Sequence, residues 1–337
     1  MITKAIKDGI LKGLRTARIL LVIMIPIYLG VTLLRHTGLF LWLSERIEPA
    51  MRVFGLPGEA VIPLVVGAFS DEYSVVAAMS GFSFNMSQVT IIAMVTLIFH
   101  GLPVETVIAR KIGMPALRIA LFRACLAILT GIFVAWLTAL FLGGNLPFTT
   151  HDMGTVPGAT GTVPVVPTIS GTTGTVPVAP GTVPMSSNGV LTAGWDVILP
   201  IMGWGVLTTV INLLRVLIPL MIAVELMLAY HVIEKLAAKL GFFCRFLRIG
   251  QEALLPLLVG LLLGVTYGAG TIMELNRTRP IPKKDLMVLG VFIFSCHGII
   301  ENTYLFAING ANVLIISAVR LAIALVVTFA ASRTVLR

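Results

Sequence analysis

Several stretches of this chain run fifteen or more residues without a charged side chain, long enough to cross or nearly cross a bilayer core. Backbone polar groups in lipid must be satisfied within the segment, so such stretches are confined to helices or closed barrels. Charged residues make up 12% of the chain, against about 25% in soluble domains, and hydrophobic residues 57%. With a mean hydropathy of +1.01, the chain lacks the polar surface that a fully soluble fold needs. The expectation is an all-α polytopic membrane protein whose first partner is the lipid bilayer. In that setting the net charge of +9 reports orientation and is no sign of nucleic acid. The start, "MITKAIKDGILKGLRTA", predicts an amphipathic interfacial helix leading into the first span. The three cysteines, Cys125, Cys244 and Cys296, have no disulfide or metal spacing.

The chain also repeats itself. "FHGLPVET" at Phe99 returns as "CHGIIENT" at Cys296, an offset of 197 residues. Arg18 and Arg215 open similar apolar runs at the same offset, and Arg123 and Arg320 follow their His-Gly pairs by 23 residues in both halves. "GEAVIPLVVG" (58–67) matches "QEALLPLLVG" (251–260) at an offset of 193, and the polar insert "NRTRPIPKKD" restores the register. The organisation read from this is a first membrane repeat over 1–142, a linker over 143–194 and a second repeat over 195–337. The linker contains GTVP four times, starting at 154, 161, 174 and 181, and proline at that density predicts an extended, flexible segment.

Each half has four apolar segments: 17–34, 59–80, 87–103 and 115–142, then 212–230, 252–273, 286–300 and 312–331. If 59–80 and 252–273 dip in and return, each half crosses three times and the halves are inverted. With the N-terminus inside, that topology puts 18 Lys and Arg inside and three outside, with three in spans. Eight crossings give 11 and 10. The positive-inside rule selects the first arrangement, with both termini cytoplasmic, a plasma (inner) membrane location and the linker outside. Asp71 and Glu72 at the middle of one segment, and three glycines in "GVTYGAG" at the middle of the other, suit a turn. A re-entrant hairpin and a broken helix both fit. Inverted repeats with discontinuous segments are the architecture of many secondary transporters.

The candidate site follows from the polar positions in this apolar chain. His100 and His297, each followed by glycine, break their spans and free backbone groups toward a ligand. Asp71 and Glu72 lack acidic counterparts in the second half, which suggests a coupling ion, H⁺ or Na⁺, at one hairpin. Thr266, Tyr267 and Asn302 complete the expected substrate-binding set, and Asn85, Gln88, Glu225 and Glu274 are further polar positions. Glu105 with Arg123, and Glu301 with Arg320, are expected as structural ion pairs, since ions buried in a membrane seek partners. Cys296, His297 and Glu301 offer ligand types suited to a transition metal, but their spacing is no metal motif and no metal is expected there. No Walker loop, Rossmann fingerprint or HExxH is present, so neither a cofactor nor an enzyme is expected.

The segments "GVTYGAGTIMEL", "FSCHGIIENTYLFAINGAN" and "RLAIA" in the second half, and "GEAVIPLVVGAFSDEYS" with "FHGLPVET" in the first, resemble the nucleoside-recognition, or Gate, domain family of bacterial membrane proteins. The resemblance covers both halves and excludes the linker. Paired Gate domains also occur in ferrous-iron permeases, concentrative nucleoside transporters and spore-maturation membrane proteins. It implies paired inverted Gate repeats and an alternating-access transporter of a small polar solute, with a nucleoside or related metabolite first. A divalent-metal, ferrous-iron-like permease and a non-transporting scaffold similar to the spore-maturation proteins are the alternatives. The chain lacks the GTPase domain that ferrous-iron permeases carry. Its oligomeric state stays open, a homo-oligomer included.

Overall fold

The structure, a computed structural model, describes residues 2–34, 38–80, 82–142, 195–278 and 281–334. The GTVP-rich linker lies outside the described residues. Every regular element among the described residues is helical. In the first half these are α1 (Ile2–Leu34), α2 (Gly38–Met51), α3 (Val61–Phe69), α4 (Glu72–Met79), α5 (Met86–Phe99), α6 (Leu102–Lys111) and α7 (Ala116–Leu142). The second half contributes α8 (Trp195–Ala229), α9 (Val232–Lys239), α10 (Gly241–Leu247), α11 (Leu254–Leu263), α12 (Val265–Thr278), α13 (Lys283–Ser295), α14 (Glu301–Phe306) and α15 (Val313–Thr334). The order corresponds element by element, with α9 and α10 together standing where α2 stands. A short 3₁₀ turn precedes α3 and α11 alike.

Among the described residues, four helices are long and apolar enough to cross a membrane: Met86–Lys111 taken through its break, Ala116–Phe141, Met202–Ala229 and Val313–Thr334. Counting each bent pair as one span raises the number to six: Trp42–Phe54 with Gly58–Phe69 at 87°, and Gly241–Leu247 with Gln251–Leu263 at 110°. The chain is thus an integral, multi-pass membrane protein. The expected span at 286–300 comes out shorter than read. Lys283–Ser295 has 13 residues, about 20 Å of helix, and ends where the chain breaks at Cys296.

Both segments expected to turn do fold back on themselves. A Cβ placed on Gly268 would lie 2.8 Å from the Gly260 Cα, and one on Gly67 would lie 2.8 Å from the Val75 side chain. Residues eight apart in a continuous helix are about 12 Å apart. The reversal in the first segment falls at Ser70 and Asp71. There the Asp71 carboxylate caps α4 by accepting from the Ser74 amide at 2.8 Å and the Ser74 hydroxyl at 2.8 Å. In the second it falls at Gly264, whose φ of +100° is open to glycine. These are helical hairpins, α3–α4 and α11–α12.

Among the described residues, two large apolar cores hold the fold, with a small third cluster of Val31, Ile62, Ala78 and Phe82. The first is built on α4, α5 and α7 and takes in Leu213, Leu217, Leu305, Phe306, Ile316 and Val319 from the second half. The other is built on α11, α12 and α13 and takes in Ala109, Ile112, Met114 and Ile119 from the first half. The exchange is reciprocal: Ala109 corresponds to Phe306, and Ile119 to Ile316, at the 197-residue offset. Each half therefore completes its core with the helices that follow the other half's His-Gly break.

Candidate functional site

The two breaks are built alike. α5 ends at Phe99, and His100 adopts extended backbone before Gly101 turns left-handed at φ +57°. α13 ends at Ser295, and Gly298 is left-handed at φ +54°. A helix end leaves carbonyls and amides without intrahelical partners. The hairpins take up part of that deficit: the Gly101 amide donates to the Gly67 carbonyl at 2.9 Å, and the Gly298 amide to the Gly260 carbonyl at 3.2 Å. The buried arginines take up more. Arg123 donates to the carbonyls of Ile98 and His100, both at 2.8 Å, and Arg320 donates to the His297 carbonyl at 2.9 Å. Arginine suits this role because its five donors are fixed in a planar fork.

The imidazoles point at each other. Each Nδ1 lies 3.0 Å from a backbone carbonyl four residues back, Thr96 for His100 and Ile293 for His297. A carbonyl only accepts, so each Nδ1 carries a hydrogen and donates it. In a neutral imidazole this leaves Nε2 as a lone-pair acceptor. The two Nε2 atoms stand 3.2 Å apart, joining positions 197 residues apart in sequence. The first half supplies the acids around them. A Glu72 carboxylate oxygen is 2.8 Å from His100 Nε2, and a Glu105 oxygen is 2.9 Å from His100 Nε2 and 3.4 Å from His297 Nε2. The other Glu105 oxygen pairs with Arg123 at 2.8 Å. Asn302 donates its side-chain amide to Glu72. All of this is inside the protein: His100 is 5% exposed, His297 2%, Glu105 4% and Arg123 1%.

The structure thus brings together His100, His297, Glu72, Glu105, Arg123 and Asn302 from the expected set. Asp71 sits at the edge as a helix cap. Thr266 and Tyr267 are elsewhere. Both are exposed on α12, because Gly268 and Ala269 turn the opposite face of that helix inward against α11. The expected Glu301–Arg320 pair is absent. Glu301 accepts from the Tyr73 hydroxyl, and Arg320 turns to the His297 carbonyl, the Thr303 hydroxyl at 3.2 Å and the Leu97 carbonyl at 3.5 Å. Register explains it: at the 197-residue offset Glu105 corresponds to Asn302, and Glu301 to Val104, so Glu301 stands one position away from the place that faces the arginine. Cys296 does not join His297 as a ligand. It is extended and packs into the second core, and neighbouring side chains in extended backbone point opposite ways. Among the described residues, Glu72, His100 and His297 instead bring their ligand atoms within 4.8 Å of one another.

Tyr73 is a site residue that the sequence reading misses, although it directly follows Glu72 in "SDEYS". Asn85 and Gln88 prove to be a capping box at the start of α5, and Glu225 pairs with Lys12 between α8 and α1. A shallow crevice adjoins the cluster, lined by Tyr73, Val216, Leu217, Leu220, Glu301 and Leu305.

Contacts across the halves are also reciprocal. The Arg123 guanidinium lies over the Phe294 ring, 5.9 Å from its centroid, while Arg320 reaches the carbonyl of Leu97, the residue equivalent to Phe294.

Comparison with known proteins agrees with this architecture. The family model for Gate, described as nucleoside recognition, matches residues 17–115. An uncharacterized membrane protein of Bacillus subtilis (strain 168), YvoD, is 27% identical over 326 residues, covering 97% of this chain and 93% of the relative. No solved structure matches the chain. Residues 17–115 are thus similar to the Gate domain described as nucleoside recognition, and they lie within a multi-pass membrane protein.

Proposed function

We propose that this protein is a plasma-membrane transporter of a small polar solute and not an enzyme. In this reading 195–337 is a second Gate-type repeat, inverted relative to the first, and the substrate passes between the two by alternating access. The observation that carries the reading is the 3.2 Å approach of His100 and His297 at two broken helices, one from each half. Discontinuous helices meeting at a repeat interface are where secondary transporters place their sites. The reciprocal core exchange and the matching arginine caps support a two-fold relation between the halves, since such a relation makes residue i meet j wherever j meets i. The positive-inside rule then orients both termini to the cytoplasm. Glu72, present in one hairpin only, is where H⁺ or Na⁺ would couple.

A nucleoside or related metabolite is the first substrate class to test, on the strength of the family description. The adjoining crevice has no enclosed room even for a water molecule, so a nucleoside requires the halves to part. The closed centre is also what favours a second reading, a non-transporting membrane scaffold. Uptake of labelled nucleosides, nucleobases and divalent cations into proteoliposomes decides between them. Saturable uptake that disappears in a His100→Ala/His297→Ala variant is expected. A folded protein that takes up none of these overturns transport of these solutes and leaves the scaffold.

A further inference from the structure

We infer that Glu72, His100 and His297 form a binding site for a divalent first-row transition cation of the Zn²⁺ or Fe²⁺ type. The inference rests on the geometry of the site and not on transport, so the two readings fail separately.

The first argument is the direction of the lone pairs. Both Nδ1 hydrogens are committed to the carbonyls of Thr96 and Ile293. With both rings neutral, the Nε2 atoms are two acceptors facing each other at 3.2 Å, with a carboxylate oxygen of Glu72 at 2.8 Å from one of them. Acceptors converge in this way around a cation. The backbone carbonyl behind each ring is also the usual outer partner of a metal-bound histidine, holding the ring and its tautomer.

Spacing is the second. Four-coordinate Zn²⁺ binds imidazole nitrogen at about 2.0–2.1 Å, which puts neighbouring ligand atoms about 3.3–3.4 Å apart. The His–His distance is 3.2 Å, and Glu105 supplies a further oxygen 3.4 Å from His297 Nε2. A small movement of the side chains admits the ion without rebuilding either break.

Charge and ligand type are the third. Four carboxyl groups, those of Asp71, Glu72, Glu105 and Glu301, stand in this region against the two guanidinium groups of Arg123 and Arg320. A cation suits a centre with more carboxyl than guanidinium groups. Two imidazoles with a carboxylate suit zinc and iron over calcium and magnesium, which prefer oxygen, and over Cu(I), which prefers sulfur. Cys296, the one thiol beside the site, points into the apolar core.

The test uses the full chain in detergent, stripped with a chelator and titrated with Co²⁺, whose visible absorption reports low-coordinate nitrogen and oxygen ligation. One Co²⁺ per chain is expected, displaced by Zn²⁺ and not by a large excess of Mg²⁺. Glu72→Gln and His297→Gln should each abolish the band. Asn302→Ala, which removes the outer donor to Glu72, should weaken binding about ten- to hundredfold. Cys125→Ser, at an exposed cysteine, should leave it unchanged. Circular dichroism and gel filtration check that each variant is folded, and two independent ligand variants keep the test open should one fail to fold. No Co²⁺ signal in the wild type, or a band that survives in folded Glu72→Gln and His297→Gln, overturns the site. The first outcome leaves a histidine pair that shares a proton, and the second an adventitious ion only.

Discussion

The two His-Gly breaks share a backbone and differ in charge. At the first, Glu105 supplies a carboxylate to Arg123 and to both histidines. At the second, the corresponding residue is Asn302, and Arg320 has a hydroxyl and carbonyls in place of an acid, with its Nε unpartnered among the described residues. The hairpins repeat the contrast: Asp71 and Glu72 in one correspond to Gly264 and Val265 in the other. The matching order of elements supplies the frame, two kinks docked on two hairpins. All the acid that reaches the histidines stands on one side of it. A symmetric frame with one-sided charge makes a single polar centre.

The comparison breaks most sharply at the arginines. Glu105→Ala leaves Arg123 buried and unpaired, and losing one partner of a buried pair costs about 3–5 kcal/mol. At the second arginine, Thr303→Val removes a single hydrogen bond to Arg320 and costs about 1–2 kcal/mol. Denaturant unfolding of the two variants in the same detergent measures the gap, and equal losses would mean that the repeats bear their charge alike. The glycines come next. Gly101→Ala forces alanine into the left-handed region, at about 1–2 kcal/mol, with its nearest new contact at an ordinary 3.5 Å. Gly298→Ala pays that strain and also meets the Asn302 side chain at 2.7 Å, so its loss should exceed about 2 kcal/mol. Melting temperatures of the pair should fall in that order.

Asn302→Asp sharpens the comparison by removing the asymmetry. It replaces the amide that donates to Glu72 with a second acceptor of like charge, and should lower stability by about 2 kcal/mol by the same unfolding measurement. A neutral result would show that Glu72 relies on His100 alone. The smallest effect is expected at Glu301→Gln. The Tyr73 hydroxyl still finds an oxygen there, so less than about 1 kcal/mol should be lost. A large loss would give Glu301 a second role.

Much of this was legible in the chain, and the misreadings have physical causes. Polarity near three glycines singles out Thr266 and Tyr267. Of those glycines Gly264 makes the turn and Gly268 marks a close approach of α12 to α11, and the approach turns both side chains outward. Glu301 was matched to Glu105 because both are acids near a His-Gly pair. One residue of register separates them, and on a helix one residue is about 100° of rotation. Cys296 was grouped with His297 by adjacency, which in extended backbone means opposite directions.

The sequence by itself determined the membrane environment, the duplication and the places where helices must stop. These depend on how long a run is apolar and where glycine or proline interrupts it, and both are local properties of the chain. Only the tertiary structure decided that the His100 and His297 nitrogens meet, that Glu72 joins them from the hairpin tip, and that Arg320 does without a carboxylate. Those contacts link residues up to about two hundred positions apart. Whether such groups touch depends on the angle at which packed helices present them, and a residue's identity does not contain that angle.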